Sequence, residues 1–327
     1  MSKVEELFSI LDTTALILRK DMDLTYLEAL VETGSNIFEQ DIQQKHLMSS
    51  AQERLKREYR KLENKQYKSE DMRKAFQLCL LKGMKNGVQA NHEMTPDAVG
   101  MFVSYLFNRF FAGQSGLRVL DPAVGTGNLL TTLFNHREDG TAMSGYAVEA
   151  DELLLRLAFM NADLQQHEIE CFHGDALAPL YIDPVDAVVC DLPVGYYPNE
   201  ERAQEYRLRA EKGMSYAHHL FIEQSIRHTK EGGYLLFLVP NFLFESDQAD
   251  QLRSFLRDTC HIQGLLQLPV SLFKNEQNAK SIFVLQKKGP QTKAPKQALL
   301  AELPKFSNAQ AMQSMMLQIQ EWFKVNK

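Results

Sequence analysis

The sequence predicts a doubly wound α/β sheet behind a helical N-terminal domain, and three observations predict it. Up to about Gly87 the apolar residues recur at helical spacing, with no β-rich runs between them. From Leu117 onward, short apolar runs alternate with helical stretches, the pattern of βα units on a mostly parallel sheet. The first of these units carries a glycine turn at the strand's C-terminal end, where open α/β sheets bind small molecules. With 327 residues, 44% of them hydrophobic and 24% charged, the chain can bury one large core or two ordinary ones, and disordered or collagen-like classes are excluded.

The helical part opens with Leu7, Ile10 and Leu11 and continues with Leu27, Leu30 and Val31. Between residues 53 and 74 it concentrates Arg54, Lys56, Arg57, Arg60, Lys61, Lys65, Lys68, Arg73 and Lys74 against five acids, which reads as a solvated helix face or a local basic grip. A break is expected at Lys85-Asn86-Gly87. The run His92-Glu93-Met94-Thr95-Pro96-Asp97 reads as a helix start, with Thr95 as N-cap and Pro96 in the first helical position, burying Val99, Phe102, Val103 and Leu106. Strands are expected at Arg118–Leu120, Ser144–Val148, Ile169–His173, Ala187–Cys190, Tyr234–Val239, Ile262–Leu268 and Ser281–Gln286. The last two lack a clear helix between them, so an antiparallel pair at one edge is expected. The domains then run 1–88 (helical), 89–288 (α/β) and 289–327, a linker closed by a helix from Asn308 to Val325.

Charge and cysteine usage narrow the class. Lys+Arg 36 against Asp+Glu 42 gives a net charge of -6, which argues against a uniformly basic nucleic-acid binder but not against a local basic face. Cys79, Cys171, Cys190 and Cys260 are scattered and form no zinc or disulfide spacing, so no metal is expected and a reducing, cytoplasmic setting follows. The apolar run Tyr234–Phe244 reaches about half of a bilayer span, so no membrane segment is expected.

The glycine turn lies in Leu117-Arg118-Val119-Leu120-Asp121-Pro122-Ala123-Val124-Gly125-Thr126-Gly127-Asn128-Leu129-Leu130. No lysine follows the glycines, and Leu130 stands where a dinucleotide fingerprint has its third glycine, so ATP and NAD are poorly supported. The turn is instead preceded by an acid, Asp121, which suits an ammonium-bearing ligand and repels a pyrophosphate. Glu149 closes the next strand, beside Ala150, and is placed to accept both hydroxyls of a ribose. Asp175, next to Ala176, follows the third strand and is placed to accept from an adenine amino group. Three acids at successive strand ends with one glycine turn fit S-adenosylmethionine: amino acid, ribose and adenine in order.

At the fourth strand end stands Asp191-Leu192-Pro193-Val194-Gly195-Tyr196-Tyr197-Pro198. Here the sequence resembles the N6-adenine DNA methyltransferases, in particular the modification-subunit type of restriction systems and the smaller YtxK-like proteins, over roughly residues 91–286. The resemblance implies a seven-stranded Rossmann-like methyltransferase sheet and S-adenosylmethionine as cofactor. It implies that Thr95 bonds the methionine carboxylate, and that Asp121, Ala123, Gly125, Thr126, Gly127, Asn128 and Leu129 hold the amino-acid end. Glu149 and Ala150 then serve the ribose, and Asp175 and Ala176 the adenine. It makes Asp191 both a cofactor contact and the catalytic acceptor for the amino group that takes the methyl, with the Leu192 carbonyl, Pro193 and Tyr196 beside it. Leu192 stands where the family has its first proline, and Val194 where it has the aromatic residue that stacks on the flipped base; Tyr196 or Tyr197 is a candidate replacement, or both simply pack the loop.

The expected reaction is methyl transfer to the N6 amino group of adenine in DNA. The alternatives are amino-group transfer to RNA or a protein glutamine, or a catalytically weakened cofactor-binding regulatory or assembly protein. A specificity subunit or a second copy of the chain is the expected partner. Asn199–Ser215, with balanced charges, reads as a substrate-side lid or an exposed ion-paired helix, and His218-His219 as the packed start of an apolar helix.

Overall fold

The structure is a computed structural model that describes residues 2–63, 65–85, 94–138 and 140–327. Most of the break expected at Lys85-Asn86-Gly87, the boundary at 88/89, and His92 and Glu93 lie outside the described residues.

Among the described residues, four α-helices form the N-terminal unit: α1 (Lys3–Met22), α2 (Tyr26–Phe38), α3 (Ser49–Tyr59) and α4 (Ser69–Lys85). Two start in capping boxes, Ser2 with Glu5 and Thr25 with Glu28, each satisfying amide donors that a helix end leaves open. Leu7, Leu11, Leu18, Leu30, Leu55 and Phe76 fill the core between them. The same cluster takes in Leu154, Leu157 and Met160 of α7 (Glu152–Asp163), so the helical unit and the sheet domain share one apolar contact.

The sheet has eight strands: β1 (Leu117–Asp121), β2 (Met143–Glu149), β3 (Ile169–His173), β4 (Val185–Asp191), β5 (Thr229–Pro240), β6 (Cys260–Gln267), β7 (Lys280–Lys287) and β8 (Leu299–Glu302), in the order β3-β2-β1-β4-β5-β7-β6-β8. The Tyr234–Pro240 run is apolar throughout because it is buried on both faces. One face is covered by α5 (Asp97–Phe110), α6 (Asn128–Asn135) and α11 (Ala309–Asn326), the other by α9 (Ala217–Arg227) and α10 (Ala249–Thr259).

Three expectations need correction. The antiparallel strand is internal: β7 lies between β5 and β6 and runs against both. The sheet has eight strands rather than seven, because Leu299–Glu302, read as linker, pairs in parallel with β6 and covers its free edge. Thr95 is not the N-cap of α5. Pro96 takes that place with extended angles, φ −61° and ψ 142°, and the helix starts at Asp97, one residue later than expected. Val99, Phe102, Val103 and Leu106 are buried as the helical spacing required. Among the described residues no helix is long and apolar enough to cross a membrane.

Candidate active site

A cleft of about 850 Å³ opens at the C-terminal ends of β1, β2 and β4, within the roughly 300–1,000 Å³ of small-molecule sites. Its floor is the glycine turn between β1 and α6. Gly125 and Gly127 both adopt left-handed angles, φ +56° and +78°, which side-chain-bearing residues rarely tolerate. A Cβ on Gly127 would lie 3.2 Å from the Ala158 backbone, so this glycine also lets the turn lie flat on α7. Gly125, Thr126, Asn128 and Leu129 line the cleft, while Gly127 packs beneath them on α7.

The acids gather as their strand ends predict. Asp121, Glu149, Asp175 and Asp191 all line the cleft, together with Ala123, Ala150 and Ala176. Asp121 is 2% exposed and accepts from the Ala123 amide at 3.1 Å. Burial, reinforced by the charges of Asp191 and Glu149, lifts its carboxyl to about 7. Glu149 is fixed by three amides: Gly125 (2.9 Å), Ala150 (2.9 Å) and Asp151 (3.0 Å). Through that first bond the β2 end holds the glycine turn. Asp175 accepts from the Leu177 amide at 2.9 Å and from the Tyr197 hydroxyl.

Asp191 is engaged on both oxygens. Thr95 donates to one at 2.9 Å, and the Lys280 ammonium, from the start of β7, pairs with the other. Among the described residues, four carboxylates thus share a cleft with one lining cation, Lys280. That surplus of negative charge, with Asp121 held near its ionisation point, fits a cationic ligand and opposes a polyphosphate.

The loop after β4 separates the remaining candidates. Leu192 is 1% exposed in the core beneath the sheet's end, and its amide donates to the Leu238 carbonyl at 3.2 Å. Pro193 lines the cleft, while Val194 and Tyr196 are 46% and 57% exposed. Both tyrosines line the cleft, but Tyr197 is buried and committed to Asp175, whereas Tyr196 is exposed and stacked on Tyr216 with centroids 5.0 Å apart. Asn199–Ser215 is neither a single exposed helix nor free: after the short α8 (Glu200–Ala203), Tyr206 is buried with its hydroxyl on the Leu177 carbonyl, and Glu223 accepts from the Arg207 and Leu208 amides. His218 and His219 are buried against one another, and desolvation lowers them to about 3 and about 4, so both are neutral.

Two charged residues bonded to the cleft's lining gave no sign of it in the sequence. Lys280 gives no local signal, since its partner is 89 positions away. Arg73, counted among the basic run, is fully buried beside Asn128.

Sheet order, glycine turn and strand-end acids together define an S-adenosylmethionine-dependent methyltransferase fold. The model of the N-6 DNA methylase family matches residues 84–325, and the chain belongs to that family. Its cofactor is S-adenosylmethionine, which the anionic cleft fits through the ligand's ammonium and sulfonium charges. The helical part matches the YtxK N-terminal helical domain over residues 5–84. The chain is 50% identical to the uncharacterised protein YtxK of Bacillus subtilis strain 168, over 99% of this chain and 98% of that one. It is 26% identical to the EcoEI methylase subunit of a type I restriction enzyme from Escherichia coli, covering 65% of this chain and 46% of the relative. Among solved structures, a protein from Listeria monocytogenes, described as a class I S-adenosylmethionine-dependent methyltransferase, superposes with a TM-score of 0.91 at 43% identity, over 98% of this chain and 99% of that one. A type I modification subunit from Vibrio vulnificus YJ016 shares the fold at 17% identity, with a TM-score of 0.66 over 90% of this chain and 65% of that one.

Proposed function

We propose that the chain transfers a methyl group to the N6 amino group of adenine in DNA. The observation that supports this most directly is the position of Asp191: a carboxylate at the β4 end, followed by Leu192-Pro193, in the same cleft as the glycine turn. S-adenosylmethionine, when bound, supplies an electrophilic methyl on a good leaving group. The chain's residues do the rest.

In this reading Asp121, Ala123 and the turn from Gly125 to Leu129 hold the amino-acid end, with the ionised form of Asp121 facing the ammonium. Glu149, oriented by its three amides, keeps lone pairs free for the ribose hydroxyls beside Ala150. Asp175 and Ala176 flank the adenine, and Tyr197 fixes the direction of the Asp175 carboxylate. An exocyclic amine conjugated to its ring is a weak nucleophile; acceptors on its N–H groups localise the nitrogen lone pair for attack. Asp191 and the Leu192 carbonyl serve as those acceptors, with Pro193 and the exposed Tyr196 ring beside the base. Thr95 bonds Asp191 in this structure, and its role is to steer that carboxylate as well as to meet the methionine end. A base in duplex DNA must be extruded to reach such a site. The relatives named as type I subunits support a separate specificity subunit, or a second copy, as the partner that holds the DNA.

The test is incubation with methyl-labelled S-adenosylmethionine and adenine-containing DNA, against DNA lacking adenine, with N6-methyladenine read by mass spectrometry. Asp191→Ala should abolish transfer while affecting cofactor affinity much less. Unchanged turnover would remove Asp191 from the reaction. A second reading, a cofactor-binding regulatory or assembly protein with weakened turnover, draws support from Val194 at the base-stacking position and from Lys280 on Asp191. Tight cofactor binding without methylation of DNA, RNA or protein, alone or with a partner, would favour it.

A further inference from the structure

Arg73 belongs to α4 of the helical unit, yet none of its side chain reaches solvent. All five of its N–H donors are used. Two go to the Glu70 carboxylate at 2.7 and 2.8 Å, two to the Asp97 carboxylate at 2.9 and 3.0 Å, and one to the Asn128 side-chain oxygen at 2.8 Å. These partners have different places in the fold. Glu70 is on the same helix, Asp97 begins α5 just after Thr95-Pro96, and Asn128 begins α6 directly after Gly127. Asn128 in turn donates to the Thr95 carbonyl at 2.9 Å, and the Thr95 hydroxyl donates to Asp191. Roughly three helical turns further along α4, and therefore on the same face, Met84 lines the cleft itself.

We infer that the N-terminal helical unit is a working part of the cofactor site, with Arg73 as its positioning residue: one guanidinium fork holds the glycine turn, through Asn128, in register with the Thr95-Pro96 segment, through Asp97. Docking of the helical unit and binding of cofactor are therefore coupled, and by linkage each strengthens the other. The inference rests on reading the cleft as the S-adenosylmethionine site. It gives the helical unit a task that does not require contact with nucleic acid.

The test uses the full chain. Arg73→Lys keeps a positive charge but loses the planar fork, so one ammonium cannot serve all three partners. Leu55→Ala, in the core of the same helical unit, is the control for destabilisation alone. Calorimetric titration with S-adenosylmethionine, below both variants' melting ranges, should show affinity reduced tenfold or more in Arg73→Lys and within twofold of wild type in Leu55→Ala. Without ligand, amide hydrogen exchange at residues 125–130 should accelerate in Arg73→Lys and not in Leu55→Ala. Wild-type affinity in Arg73→Lys, or an equal loss in both variants, overturns the inference. If the wild type itself fails to bind, the reading of the cleft fails, and the exchange comparison alone decides the coupling: selective acceleration upholds it, and equal exchange overturns it.

Discussion

Lys280, the first residue of β7, places its ammonium on the Asp191 carboxylate at the end of β4, while the Thr95 hydroxyl occupies the other oxygen. The internal antiparallel position of β7 brings this cation to the acid-lined cleft. Its charge opposes a cationic ligand and is indifferent to the neutral thioether left after methyl transfer. Lys280→Met should therefore raise the ratio of S-adenosylmethionine to thioether affinity by about fivefold, roughly 1 kcal/mol for a charge several ångströms away at an intermediate dielectric. Paired calorimetric titrations with the two ligands check this; an unchanged ratio places Lys280 outside the cofactor's field.

Asp121 gives the site its pH dependence. Burial raises its carboxyl to about 7, whereas the unfolded chain has it near the ordinary aspartate value of 3.8. The folded state thus prefers the protonated form, and this group's stabilising contribution is complete below about pH 4 and lost as pH rises through 7. In the proposed site ligand binding has the opposite sign, because the ammonium would pair with the ionised form of Asp121. Affinity for S-adenosylmethionine should rise between pH 6 and pH 8, by at most about tenfold per unit below 7, with proton release on binding below that point. Asp121→Asn should flatten both the affinity profile and this part of the stability profile. Titrations in buffers of different ionisation enthalpy read the proton directly.

The two glycines of the turn separate strain from crowding. Gly125 has open space at its Cβ position, so Gly125→Ala meets only the cost of its left-handed backbone, about 1 kcal/mol. Gly127→Val adds crowding against the Ala158 backbone to a larger backbone cost, because a β-branched residue tolerates left-handed angles least. It should lower the melting temperature by several degrees more than Gly125→Ala and block cofactor binding, with a shift in the amide signals of α7. Cofactor affinity unaltered in Gly127→Val would overturn the assignment of the turn.

The central strands β4, β5 and β7 were legible because burial on both faces writes them as continuous apolar runs. The acids were legible because Asp121, Glu149 and Asp191 each close a strand and Asp175 follows one. Leu299–Glu302 was not legible: four residues at an edge, after a proline-containing loop, carry no alternation. Nor does a Thr-Pro pair reveal which of its residues caps the helix. Arg73 is the clearest case, since a run of mixed charge looks solvated whatever its three-dimensional neighbours, and those neighbours, Asp97 and Asn128, come from separate segments of the sheet domain.

The loop after β4 offers the sharpest test of the methyl acceptor, and the structure changes how it is built. Replacing Leu192 by proline and Val194 by tyrosine together would restore the family's pattern, but Leu192 is buried and its amide bonds the Leu238 carbonyl. Leu192→Pro removes that donor and core volume at once, so it should destabilise by about 2–4 kcal/mol and obscure any gain. Val194→Tyr is clean, because Val194 is 46% exposed at the cleft. A tyrosine there adds a stacking face worth roughly 1–3 kcal/mol to a flipped base. Methylation of adenine-containing DNA, measured as kcat/KM, should rise by about tenfold or more in Val194→Tyr, with S-adenosylmethionine affinity unchanged. If instead Val194→Tyr is silent and Tyr196→Ala abolishes transfer, the ring already stacked on Tyr216 is the one that receives the base. If neither substitution alters turnover, the acceptor is not a stacked base, and amino groups of proteins become the substrates to screen.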